Sequence, residues 1–177
     1  MSQKTKWLID AAHSEIGFKV KHMMFTNVSG KITKYEALVE TNDDDFTEAM
    51  IEFTGDTDAI TTGAADRDAH LLSPDFFDAE KFPKIYFNAT SIKKMDEGDF
   101  QITGDLTMHG QAKPIVLTAE YGGLMKDPWG NIKAAFSITG KINRRDWGLT
   151  WNAALEAGGV LVSDEVQIIA EIQLIKQ

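Results

Sequence analysis

Apolar side chains recur at every second position through most of this chain, the spacing of half-buried strands rather than of helices. Ile16, Phe18, Val20 and His22 share one face of an early strand, and Ile85, Phe87 and Ala89 share a face of a later one. The alternation resumes at Phe100, Ile102, Gly104, Leu106 and Met108, then at Ile115, Leu117, Ala119 and Tyr121. It runs on through Ala134, Phe136, Ile138, Gly140 and Ile142, and closes with Val166, Ile168, Ala170, Ile172 and Leu174. Adding the regions around 28–41 and 50–60 predicts about eight strands, the usual number for a small closed barrel. The expected fold class is mainly β, an antiparallel barrel forming one domain over residues 1–177.

Turn chemistry separates the strands. Asp96-Glu97-Gly98-Asp99 predicts a hairpin, and 109–114 a second reversal. Residues 122–131, which include Pro128 and Gly130, predict a longer loop, and the acidic run Asn42-Asp43-Asp44-Asp45 a solvated tip. Gly104 and Gly140 fall inside strand patterns, where a glycine marks a bend or leaves room for another group.

One segment breaks the alternation: RDAHLLSPDFFDAEKFP, residues 67–83. Residues 64–72 carry neither proline nor a β-branched side chain and predict a helix of about two turns. Ser73 as N-cap, Pro74 at the first helical position and Asp75 near the dipole predict a second short helix. Pro83 ends it. Two short helices inserted between strands would cover one barrel end, either as a plug or as a lid over a cavity. Leu71, Phe76, Phe77 and Phe82 would then face inward.

Charge and composition limit the rest. Acidic residues outnumber basic ones 27 to 18, a formal charge of −9. That field repels phosphate backbones and anionic headgroups, so it argues against nucleic acid and against stable membrane anchoring. A neutral or amphiphilic molecule held inside is unaffected. With no cysteine, disulfides and thiolate chemistry are excluded. The N-terminal stretch lacks an apolar signal-peptide core, so the expected location is the cytoplasm.

The chain resembles the YceI-like family of lipid-binding proteins, and four blocks carry the likeness. The first is W-x-I-D-x-x-H-S-x-I-x-F-x-V-x-H, here Trp7, Ile9, Asp10, His13, Ser14, Ile16, Phe18, Val20 and His22, continuing through Phe25, Val28 and Gly30. The second comprises Arg67, Asp68, His70, Leu71, Ser73, Pro74, Phe76, Phe77 and Pro83. The third is G-x-L-T-M-H-G-x-x-K-P from Gly104 to Pro114, and the fourth INRRDWGLTWN, residues 142–152, followed by LVSDEVQI. The resemblance implies a lipocalin-like barrel with short helices over one end and an elongated apolar cavity. It also implies a ligand among polyisoprenoids, isoprenoid quinones or other long-chain amphiphiles, with no further cofactor. Many family members are exported to the periplasm, a location that the N-terminus here does not predict.

The residues expected to contact such a ligand are Phe18, Val20, His22, Met24, Phe25, Arg67, His70, Leu71, Phe76, Phe77, Phe87, Leu106, Phe136 and Trp151. Arg67 or His70 is placed near its polar end. Met23, Met24 and Phe25 suit either an adaptable apolar pocket or a core cap at one barrel end. His109 is expected to satisfy a backbone group at a turn, and Arg144, Arg145 and Asp146 to brace their loop with charge-assisted bonds. The competing function is a hydrolase or isomerase acting on a small lipid through Asp66 and His70 as an acid/base pair. No nucleophile motif accompanies that pair, so no catalytic residue is assigned. The four histidines show no metal-binding spacing, so no metal is assigned. A homodimer through a strand edge or the helical face is the one protein partnership considered.

Overall fold

The computed structural model describes residues 3–153 and 161–177. Its strands in chain order are β1 (Lys4–Ile9), β2 (Glu15–His22), β3 (Thr26–Ile32), β4 (Tyr35–Asn42), β5 (Asp45–Asp56), β6 (Ile60–Thr61), β7 (Lys84–Lys94), β8 (Phe100–Met108), β9 (Gln111–Lys126), β10 (Ile132–Asn143) and β11 (Val162–Lys176). The helix α1 (Ala65–Leu72) lies between β6 and β7.

Eight strands close a ring of antiparallel pairs in the order β1, β4, β5, β7, β8, β9, β10, β11, with β11 returning to β1. The last strand makes this closure possible by dividing one edge between two partners. Residues 174–176 of β11 pair with β1, whereas residues 162–171 pair with β2. From β2 the sheet continues into β3 and the two-residue β6, an apron that widens the wall at one end. Lipocalin-like architecture thus follows from a strand long enough to serve two neighbours.

Register places the alternating apolar residues inside. Phe18 lies opposite Ile168, Phe136 opposite Ile172, and Phe87 opposite Leu106. Their outward neighbours Lys19, Glu171 and Asn88 face solvent, as period-2 geometry demands. The two strand glycines make room for wall side chains: a Cβ at Gly104 would stand 2.6 Å from the Phe87 ring, and one at Gly140 2.5 Å from Leu117.

Three local expectations are corrected. The second helix does not form; residues 73–81 fold as consecutive turns. Ser73 accepts from the Asp75 N–H as a cap would, but the Phe77 N–H bonds back to Leu71 O and Asp78 adopts φ 49°. That left-handed residue redirects the chain after a single turn. The loop expected over 122–131 shrinks to 127–131, because β9 runs on to Lys126 through a β-bulge opposite Ala135 and Phe136. The reversal at 109–114 is only the pair His109-Gly110, with φ 53° and 73°. Pro114 sits within β9, where that strand pairs with β8 but not with β10.

Candidate functional site: an apolar cavity between two unlike ends

The barrel encloses a cavity of about 290 Å³. Its described lining is aliphatic and aromatic along its length, and among these residues Arg144 alone is charged. Of the residues expected to meet a ligand, Phe18, Val20, Leu71, Phe76, Phe77, Phe87, Leu106 and Phe136 border this space.

The two ends are built differently. At the end bearing the β4–β5, β7–β8 and β9–β10 turns, aromatic rings from the strands form a floor. Phe46 lies 5.2 Å from Trp7, 5.8 Å from Tyr121 and 5.1 Å from Phe136, and Tyr121 stacks on Phe136 at 5.1 Å. Phe100 completes the group against Tyr121 and Phe136. Trp7 is fully buried, and its indole N–H donates to Thr41 Oγ1 at 3.0 Å. Such pairs each add about 0.5–1.5 kcal/mol beyond their buried area.

At the other end the roof is carried by segments outside the barrel ring: α1, the turns that follow it, and the single 3₁₀ turn Arg144–Trp147. Leu71, Phe76, Phe77 and Leu149 point from these segments into the cavity. Polar bonds hold the segments in place. Asp68 reaches back from α1 to accept from Thr61 Oγ1 at 2.7 Å, Thr62 Oγ1 at 2.6 Å and the Thr62 N–H at 2.7 Å. The Thr62 and Thr61 hydroxyls, aided by that N–H, hold the Asp68 carboxyl below its usual pKa. The Ser73 hydroxyl donates to His70 O at 2.6 Å. The Trp147 indole donates to Leu106 O, and His109 Nδ1 lies 2.8 Å from Trp147 O, the backbone contact expected of that histidine.

Six expected ligand residues lie elsewhere. Arg67 is exposed and turns back to Thr62, donating to its Oγ1 at 2.7 Å and its carbonyl at 3.0 Å. His70 bonds Asp75 at 2.9 Å rather than Asp66, and its ring meets Phe76 and Trp151 edge-on. Both His70 and Trp151 therefore support a lining residue from behind. This arrangement does not assemble the Asp66–His70 pair. Met24 and Phe25 project from the β2–β3 hairpin, Phe25 at 87% exposure. Met23 and Met24 both take φ 56°, the left-handed turn that closes the hairpin, and both are exposed. His22 ends β2 beside Val162, outside the cavity lining.

Arg144 is the residue that sequence reasoning misplaced. It is 4% exposed and lines the cavity; its Nε donates to Ser163 O at 2.9 Å, one Nη to Leu149 O at 2.5 Å and the other to Val162 O at 3.3 Å. These are charge-assisted bonds that brace the loop as expected, and Arg145 adds another from its Nε to Asp164, not Asp146, at 2.7 Å. One signal pointed inward: stepping the β10 alternation from Ile142 by two more residues lands on Arg144.

An antiparallel eight-strand barrel, roofed by a short helix around an apolar interior, defines a lipocalin-like protein. The sequence matches the YceI-like domain over residues 7–174, and the chain belongs to that family. A UPF0312 protein of Staphylococcus aureus is 33% identical over 170 residues, covering 96% of each chain. The YceI protein of Campylobacter jejuni superposes with a TM-score of 0.72 at 33% identity, covering 95% of this chain and 96% of that one. A polyisoprenoid-binding domain from Saccharophagus degradans shares the fold at a TM-score of 0.66 and 12% identity, with full coverage of both.

Proposed function

We propose that this protein is a non-catalytic carrier or store for a long-chain apolar molecule, of the polyisoprenoid or isoprenoid quinone class, held inside the barrel. The observation that carries this reading is the cavity: a continuous apolar interior with an aromatic floor at one end and a roof of segments outside the barrel ring at the other. Each methylene buried there contributes about 0.8 kcal/mol, so chain length supplies the affinity. The present volume is at the lower limit of small-molecule sites, which run from about 300 Å³ upward, so a long chain requires the roof to yield. Family membership supports the reading, as does the ligand class in the name of the Saccharophagus domain.

Mass spectrometry of solvent extracts from gently purified protein tests it. The expected result is a prenyl lipid in near-equimolar amount. Protein that comes out empty, and that takes up neither ubiquinone nor a polyprenol when these are added, defeats the reading.

A further inference from the structure

Building on the cavity as the site for an amphiphile, we propose that Arg144 receives the ligand's polar end, and that this end is an oxyanion, a carboxylate or a phosphate. A guanidinium is costly in an apolar wall unless its charge is met. Here the acceptors bonded to it are three neutral carbonyls, of Leu149, Val162 and Ser163. The carboxylate nearest to it among the described ion pairs is that of Asp164, at 3.9 Å, and this one is already bonded to Arg145 at 2.7 Å and half exposed. Among the described residues, three of its five N–H donors are bonded.

The cavity's chemistry points the same way. Every other described side chain on the lining is apolar, so a polar head group inside the barrel has no alternative partner there. Burial pushes the guanidinium below its usual pKa and Asp164 pushes it back, as expected of a charge only partly compensated. A clamp joining the 144–149 turn to β11 needs donors but no net charge. An oxyanion would meet the charge that the described residues compensate only through Asp164 at 3.9 Å, using the bidentate bonds that arginine's planar fork is shaped to make.

The test is displacement of the neutral probe N-phenyl-1-naphthylamine by C16 amphiphiles differing only in the head: palmitate, hexadecyl phosphate and hexadecanol. Wild-type protein is expected to bind the two anions at least tenfold more tightly than the alcohol. Arg144→Met should reduce that preference to within about twofold while hexadecanol affinity persists, and Arg144→Lys should restore part of it. Should Arg144→Met fail to fold, Asp164→Asn answers the question on a half-exposed position, with an expected increase in anion preference. Equal binding of anion and alcohol by wild type, or no change in preference in Asp164→Asn, overturns the proposal and leaves the carrier reading intact. If no C16 compound displaces the probe, the Arg144 proposal fails, and the carrier reading is decided by its own uptake test with ubiquinone and a polyprenol. Acetate and inorganic phosphate should displace nothing; displacement by either at the same concentration overturns the assignment in favour of a free-anion site.

Discussion

The floor and the roof of this barrel close the same cavity by opposite means. Floor rings grow directly from paired strands and meet one another over 5.1–6.3 Å, with their backbones already fixed by the sheet. Roof side chains stand on an eight-residue helix and a run of turns tied down by a few hydrogen bonds, several of them solvent-facing. Cooperative sheet packing gives the floor the stability of the global fold. Local polar braces give the roof an opening free energy well below it.

Mutations that separate the two ends sharpen this contrast. The largest effect is expected at the floor: Trp7→Ala removes a fully buried ring together with its bond to Thr41, costing about 3–5 kcal/mol. For a chain of this length that is roughly 10 °C or more in Tm, read by calorimetry. If Trp7→Ala melts within 2 °C of wild type, the floor is not the stable end. Phe76→Ala, at the roof, should cost less stability because its surroundings can collapse. It should instead accelerate dissociation of bound N-phenyl-1-naphthylamine several-fold in stopped-flow measurements, whereas an unchanged off-rate would place the exit elsewhere.

Smaller still is Asp68→Ala, which removes the acceptor for three bonds and should cost about 1 kcal/mol, as loss of a helix-end brace typically does. Hydrogen exchange should show the loss concentrated in α1, with the floor strands unchanged. Acid gives the mildest probe. The Asp68 carboxyl titrates below its unfolded value near 3.9, so its contribution is complete above about pH 4 and fades as pH falls through the lower folded value. Asp10 behaves alike: burial raises its pKa, but bonds from Lys133 and His13 outweigh that and lower it overall. Protection factors of the α1 amides, with the intrinsic pH dependence of exchange divided out, should therefore fall below pH 4 before the barrel melts, and a fall that begins above pH 5 would exclude Asp68 as the cause.

Period-2 alternation made the ring strands and most of their inward residues legible before any coordinates, because a strand's two faces are fixed by geometry alone. The roof was harder. Residues 73–83 carry sound helix-start chemistry at Ser73-Pro74, yet the chain turns at Asp78, a left-handed conformation that Asp tolerates but that nothing in the local sequence demands. Phe46 escaped notice because it follows an acidic turn, and its role depends on Trp7, Tyr121 and Phe136 arriving from three other strands. His70 and Trp151 look like contact residues in the sequence; they act one layer out, on Phe76. Arg144 reads as a loop charge because cations normally seek water, and only the fold reveals that three carbonyls converge on it.

The aromatic floor also determines the order of events in any delivery. A vessel stoppered at its base fills and empties through its neck, so capture and release share one transition state. A chain lodged tail-down, with its head beside Arg144, would present that head first to whatever receives it. Holding the cargo longer and handing it over faster are then competing demands on the same few roof bonds, and selection on Asp68, Ser73 and Phe76 would set the compromise.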